Sequence, residues 1–120
     1  MTIDADIECI IRQENTLKFD KMQESDAWAL GSLMRGLAQS RQLPFVIDIR
    51  IGARPLYYTA LEGTSADNYD WVKRKVRNVQ RFEKSSYRVN REHEKRNIVF
   101  TAMRGVNPMK YALAGGGFPI

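Results

Sequence analysis

Residues Phe45 to Ile51 alternate strictly, with Phe45, Ile47, Ile49 and Ile51 on one side of an extended chain and Val46, Asp48 and Arg50 on the other. Strand side chains point to opposite faces with a period of two, so this run fits a strand with one buried face. Leu43-Pro44 breaks helicity ahead of it. Gly52-Ala53-Arg54-Pro55 forms a turn behind it, leading to Leu56 to Leu61, where Tyr57, Tyr58 and Thr59 favour extended backbone. The two runs are expected to pair as an antiparallel hairpin.

Helical periods flank this hairpin. Ile7, Ile10, Ile11 and Glu14 are spaced for a short amphipathic helix over Asp4 to Asn15. A second helix is capped by Ser25 or Asp26 and carries one apolar stripe, Ala27, Leu30, Met34 and Leu37 with Leu33 alongside, through Arg41. Beyond the turn-rich segment from Glu62 to Asn68, Val72, Val76, Val79 and Phe82 mark a third helix with its basic side chains mainly on the other faces. Ser85 or Ser86 starts a fourth, highly charged helix through about Arg96, and Asn107-Pro108 has the form of another short helix start. Gly115, Gly116 and Gly117 then suit a sharp bend ahead of Phe118-Pro119-Ile120, where the chain stops.

A chain of 120 residues can form one domain with its own core, and 43% apolar against 28% charged residues is ordinary globular composition. No internal repeat or Pro- or Ser-rich linker marks a second domain. Cys9 is the single cysteine, which excludes an intramolecular disulfide and a cysteine zinc cluster and suits a reducing compartment. No apolar run approaches the roughly 18 residues of a membrane span, and MTIDADIE lacks the basic and apolar regions of a signal peptide. A cytoplasmic protein with no membrane partner is expected. The net charge of +5 is uneven: Trp71 to Arg96 carries ten basic and three acidic residues, a +7 segment against a −2 remainder.

Clustered Lys and Arg can bind phosphates by releasing counterions. No recognised nucleic-acid motif surrounds these residues, so a solvated helix face or a subunit contact is the preferred reading and nucleic acid is not expected. His93 is the only histidine and has no second histidine or cysteine to complete a metal site, so it reads as an exposed helix residue and no metal is expected. Cys9 reads as a small buried side chain. Asp48 and Arg50 share a strand face: either they form a buried pair beside a pocket or both project into solvent. Tyr57, Tyr58, Tyr69 and Trp71 either line a cleft for a flat ligand or pack in the core. Thr64, Ser65, Asp67 and Asn68 read as loop caps. The triple glycine is no dinucleotide fingerprint, since the strand before it and the helix after it are absent.

The segments DAWALGSLMRGLA (Asp26 to Ala38), LPFVIDIR (Leu43 to Arg50), LYYTALEGTSADNYDWVKRKVRNVQRFEKSSY (Leu56 to Tyr87) and YALAGGGFPI (Tyr111 to Ile120) together resemble the UPF0303 family, which is related to the GlcG/HbpS-like, or haem-degrading domain, proteins. The resemblance runs from about Leu17 to the end. It implies an α/β (α+β) fold of the profilin-like GlcG type, an antiparallel sheet with packed helices, usually assembled into oligomers. In that family GGGFPI leads into two further strands and a closing helix, so the chain is expected to lack these last elements. Related sequences commonly carry His before the glycine run, whereas this one has Ala114, so no histidine-dependent role transfers there. The region from Asn97 to Val106 matches the pattern poorly.

The expectation is a small-molecule-binding domain, with haem or a tetrapyrrole as the ligand class implied by the resemblance and a homo-oligomer as the assembly. Asp48, Arg50, Tyr58, Trp71, Gly115, Gly116 and Gly117 are the candidate ligand-binding residues, and no catalytic residue is assigned. The alternative is a non-enzymatic interaction module that oligomerises through its basic helices and sheet edge.

Overall fold

The alternating run does become a strand, and its register fixes which side chains meet. In the computed structural model, which describes residues 2–97, 107, 109–112 and 115–120, β1 (Val46–Ile51) pairs antiparallel with β2 (Arg54–Ala60). Only Gly52 and Ala53 form the turn, so Arg54 and Pro55 belong to the second strand. Gly52 sits at φ 56°, a left-handed conformation that costs glycine little. A shift between Ile49 and Arg50 sets Ile49 opposite Tyr57 but Arg50 opposite Pro55, which places an extra residue in β2. Asp48 faces Tyr58 across the ladder.

Four helices complete the order among the described residues: α1 (Ile3–Thr16) and α2 (Glu24–Ser40) before the hairpin, α3 (Ala66–Phe82) and α4 (Ser86–Lys95) after it. This is the mixed α+β arrangement expected. The chain divides into two compact units, one of residues 20–72 and one of residues 1–19 with 73–120.

In the first unit α2 covers one face of the hairpin. Ala27, Ala38, Ile47, Ile49, Tyr57 and Leu61 form its buried core, with Met22, Leu30, Leu43 and Leu56 packed around them. Burial of such side chains stabilises by roughly 1.5–3 kcal/mol each for the larger ones. Two details differ from the sequence pattern. Phe45 and Ile51, at the two ends of the alternation, are about half exposed. On α2 the buried side is Ala27, Gly31 and Ala38, whereas Leu33, Met34 and Leu37 of the apolar stripe lie outside it. Small residues let the helix approach the sheet, with Leu30 packed at the edge of the core. The helix also starts earlier than Ser25: Gln23 occupies the cap position, and Asp26 accepts from its backbone N–H at 2.9 Å.

Gln39, Gln42 and Leu43 end α2 in a hydrogen-bonded stop. Gln42 adopts φ 55°, its N–H donates to the Gln39 carbonyl at 3.1 Å, and the Leu43 N–H donates to the Ala38 carbonyl at 2.9 Å. These are the two crossing bonds of a Schellman motif, with Gln at the left-handed position where Gly is usual.

Among the described residues the second unit has a more polar interior. Val89, Asn78, Ser85 and Ser86 are its fully buried side chains. Ser85 caps α4 by accepting from the Arg88 N–H at 3.2 Å, as the sequence indicates. Asn78 of α3 donates to the Ala112 carbonyl. Asn107 accepts from the N–H of Met109 on its side chain and of Lys110 on its backbone, forming a turn; Pro108 and residues 98–106 lie outside the described residues, and with them the short helix expected there.

Candidate functional site

Asp48 and Arg50 point from the same side of β1 because they are two residues apart. Arg50 donates from Nε to Asp48 Oδ1 at 2.7 Å and from Nη2 to Oδ2 at 2.5 Å. The Asp48 side chain is 2% exposed and that of Arg50 21%. Of the two placements open to the sequence, the structure therefore holds the buried pair. Two parallel charge-assisted bonds satisfy the carboxylate and fix the guanidinium plane. The Asp48 hydrogen bond, stronger than the opposing effect of burial and reinforced by Tyr69, raises the Arg50 pKa above its ordinary value.

Two phenols border this pair. Tyr58 stands opposite Asp48 on β2, and its ring meets that of Tyr69 edge to face, centroids 5.6 Å apart and planes at 86°. Tyr69 lies in the first turns of α3, where Asn68 anchors the helix start by accepting from the Ser65 N–H at 2.8 Å. Thr64 donates to the Leu61 carbonyl at 2.7 Å, so these loop residues act as the caps expected of them. Both tyrosine rings stay over 40% exposed. The face thus presents a neutralised guanidinium, hydrogen-bonded to Asp48 and to Tyr69, beside two aromatic rings.

The other candidate residues are placed differently. Trp71 is two positions beyond Tyr69, about 200° around the helix, and is 47% exposed. Tyr57, grouped by sequence with the cleft aromatics, is instead a core residue at 7% exposure, its ring edge-on to Trp28 at 5.2 Å. Gly115, Gly116 and Gly117 belong to the second unit. There Gly117 donates from its N–H to Ser86 Oγ at 3.0 Å and accepts from the Ser86 N–H at 3.0 Å. Gly116 takes φ 126°, the bend anticipated from sequence, while Ala114 lies outside the described residues. Tyr69 is the partner that the sequence-derived ligand set omits. Its signal was the Ser65 to Asn68 cap, which sets the phase of α3 and so the direction of Tyr69.

The remaining candidates are engaged locally. His93 is half-buried rather than exposed, and its Nδ1 donates to the Val89 carbonyl at 2.7 Å, so that nitrogen carries the proton. Cys9 is half-buried as well, with Gln13 Nε2 3.9 Å from its Sγ. Among the described residues no group of three or more His, Cys, Asp or Glu is arranged to hold a metal ion. No helix among them is long and apolar enough to cross a membrane.

Three basic residues of α4 are matched by acids of α1. Arg88 pairs with Glu14 at 3.3 Å and with Glu92 at 2.9 Å, Arg91 with Asp6 at 2.8 Å and Glu94 at 2.7 Å, and Lys95 with Asp4. Lys84 reaches Glu92 at 2.9 Å. Asp4, Asp6 and Glu14 thus meet the basic residues of α4 within one unit, which the linear charge pattern alone did not show.

The family described as Haem degrading protein HbpS-like matches residues 22–120. A UPF0303 protein of Mesorhizobium japonicum is 40% identical over 120 residues, covering 100% of this chain and 72% of the relative. A UPF0303 protein of Brucella melitensis biotype 1 is 41% identical over 111 residues, covering 92% of this chain and 66% of that protein. The crystal structure of Ybr137w protein superposes with a TM-score of 0.82 at 24% identity, over 92% of this chain and 65% of that one, and shares the fold. The chain thus spans roughly two thirds of the length of the proteins it matches. On a family match over residues 22–120 and 40% identity along its whole length, the chain belongs to the HbpS-like haem-degrading family, with UPF0303 proteins among its relatives.

Proposed function

We propose that the face built by Asp48, Arg50, Tyr58 and Tyr69 binds a flat small molecule with an anionic edge, and that haem or a related tetrapyrrole is the ligand class. The observation that carries this reading is the bidentate clamp of Asp48 on Arg50 beside the exposed Tyr58–Tyr69 pair. A clamped guanidinium loses little freedom when its remaining N–H groups meet a carboxylate, and aromatic faces stack on a planar ring without desolvating a polar group.

The residues fit haem in these respects. Arg50 would hold a propionate, Tyr58 and Tyr69 would contact the macrocycle, and a phenol oxygen is the axial donor type this face offers. Bound haem would supply iron redox chemistry. The chain's own part is to position the ring and to keep the Arg50 donors aimed at its acidic edge. Because Asp48 cancels the Arg50 charge, geometry and stacking rather than net charge carry the attraction.

Haem titration followed in the Soret band tests this reading. A saturable spectral change that weakens about tenfold in Tyr58→Ala supports it, since an aromatic contact of this kind is worth roughly that factor. Absence of a saturable change, or a change untouched by Tyr58→Ala and Tyr69→Ala, rejects it.

A further inference from the structure

The other side of β1 holds a second concavity, unrelated to the Tyr58 face. Met34, Leu37 and Ala38 of α2 with Leu43, Phe45 and Ile47 line an open groove of about 200 Å³. The Schellman stop makes it: Gln42 turns the chain back so that Leu43 returns beside the last turn of α2, leaving a gap between Leu37 and Phe45. Met34, Leu37 and Phe45 at its rim are 43% to 54% exposed.

One charged side chain lines this apolar cup, Arg41. Among the described residues it has no ion pair. At the helix end beside it the carbonyls of Ala38 and Gln39 accept the Leu43 and Gln42 N–H groups, and that of Leu37 accepts the Ser40 hydroxyl at 2.8 Å. An anion at Arg41 would therefore meet a guanidinium without facing a row of unpaired carbonyl oxygens.

We propose that this cup is a binding site for a small apolar monocarboxylate, its tail among Met34, Leu37, Phe45 and Ile47 and its carboxylate on Arg41. The complementarity is one of charge and size. A dry cavity of about 150 Å³ accepts a benzene ring, so 200 Å³ holds a ring or a short alkyl chain but not a macrocycle. A single cation at an otherwise apolar wall selects one acidic group at one end of the ligand.

Octanoate, octanol and acetate separate the contributions, read by the ¹³C-methyl NMR signal of Met34, assigned with Met34→Leu. Octanoate is expected to shift this signal saturably and to bind about tenfold more tightly than octanol, with acetate giving no shift. Arg41→Gln should erase the preference for octanoate while octanol binding remains, and Leu37→Gln should weaken both. Far-UV circular dichroism checks that each variant keeps its helices, which is expected since Arg41 and Leu37 are exposed. Equal binding of octanoate and octanol to the native chain overturns the proposal, as does octanoate binding unchanged by Arg41→Gln. Concentration-dependent broadening of the Met34 signal without ligand, with a rise in mass by light scattering, overturns it in favour of an interface between copies. None of these outcomes depends on haem binding at the opposite face.

Discussion

Gly31 lies flat against the ring of Tyr57. A Cβ built at this glycine would stand 2.5 Å from Tyr57 Cγ and 2.6 Å from Cε1, inside any normal contact distance. The helix–hairpin approach is therefore set by the absence of a side chain at one position of α2. Trp28, one turn earlier, closes over the same ring edge-on.

Gly31→Ala is expected to destabilise the protein by about 1–3 kcal/mol, as overpacking of a tight core contact does, even though alanine is the better helix former. Gly36→Ala supplies the contrast. It lies on the exposed side of the same helix with nothing within 4 Å of its Cβ position, so it should stabilise by about 0.5–1 kcal/mol. Thermal denaturation of the two variants should move in opposite directions. Equal effects would mean that Tyr57 has room to yield.

The left-handed Gln42 yields a second prediction. A side chain at φ 55° pays a steric cost that glycine avoids, and the two backbone bonds of the stop need only the conformation. Gln42→Gly should raise stability by about 0.5–1 kcal/mol in chemical denaturation, with the slope against denaturant unchanged. A loss of stability would show that the Gln42 side chain, not its backbone, holds the turn.

The hairpin was legible because a period of two has no helical counterpart, and so was the Ser85 cap. The burial of α2 was not. Counting apolar residues selects Ala27, Leu30, Met34 and Leu37, of which Ala27 is buried and Leu30 packs on the core, but it passes over Gly31 and Ala38, and Gly31 is the position where Tyr57 needs the space. For the site, Asp48 and Arg50 could be named as a pair from their shared face, whereas the bulge that sets Arg50 opposite Pro55 has no trace in the sequence beyond that proline, a residue suited to an edge position. Tyr57 and Tyr58 are adjacent and chemically identical. Only the register decides that one is core and the other surface.

Removing one member of the Glu14–Arg88 pair should cost more than removing an exposed charge of the same helix. The Glu14 side chain is 5% exposed and also receives the Ser85 hydroxyl at 3.5 Å. Arg88→Met leaves that carboxylate buried without its cation, for which about 2–3 kcal/mol is expected after allowing for the partial exposure of Arg88. Glu94→Gln, at a carboxylate 56% exposed, should change stability by less than about 0.5 kcal/mol. Combining Glu14→Leu with Arg88→Met should recover much of the loss in a double-mutant cycle. Simple additivity would show that the two residues do not act as a pair.

Glu92 should give the protein a distinct acid limb. Burial pushes its carboxyl up, but the hydrogen bonds and charges of Lys84 and Arg88 outweigh this and hold it below the ordinary value of 4.5. A depressed folded pKa means that the unfolded chain takes up the proton first. The stabilisation is thus complete above the unfolded value and is lost as pH falls from there through the lowered folded value. Glu92→Gln, which cannot ionise, should be less stable than the native protein near neutrality, and the difference should shrink as the buffer is taken from about pH 6 to about pH 3. Denaturation midpoints measured across that range check the sign. A difference that grows on acidification would mean that burial, not the Lys84 and Arg88 contacts, governs this carboxyl.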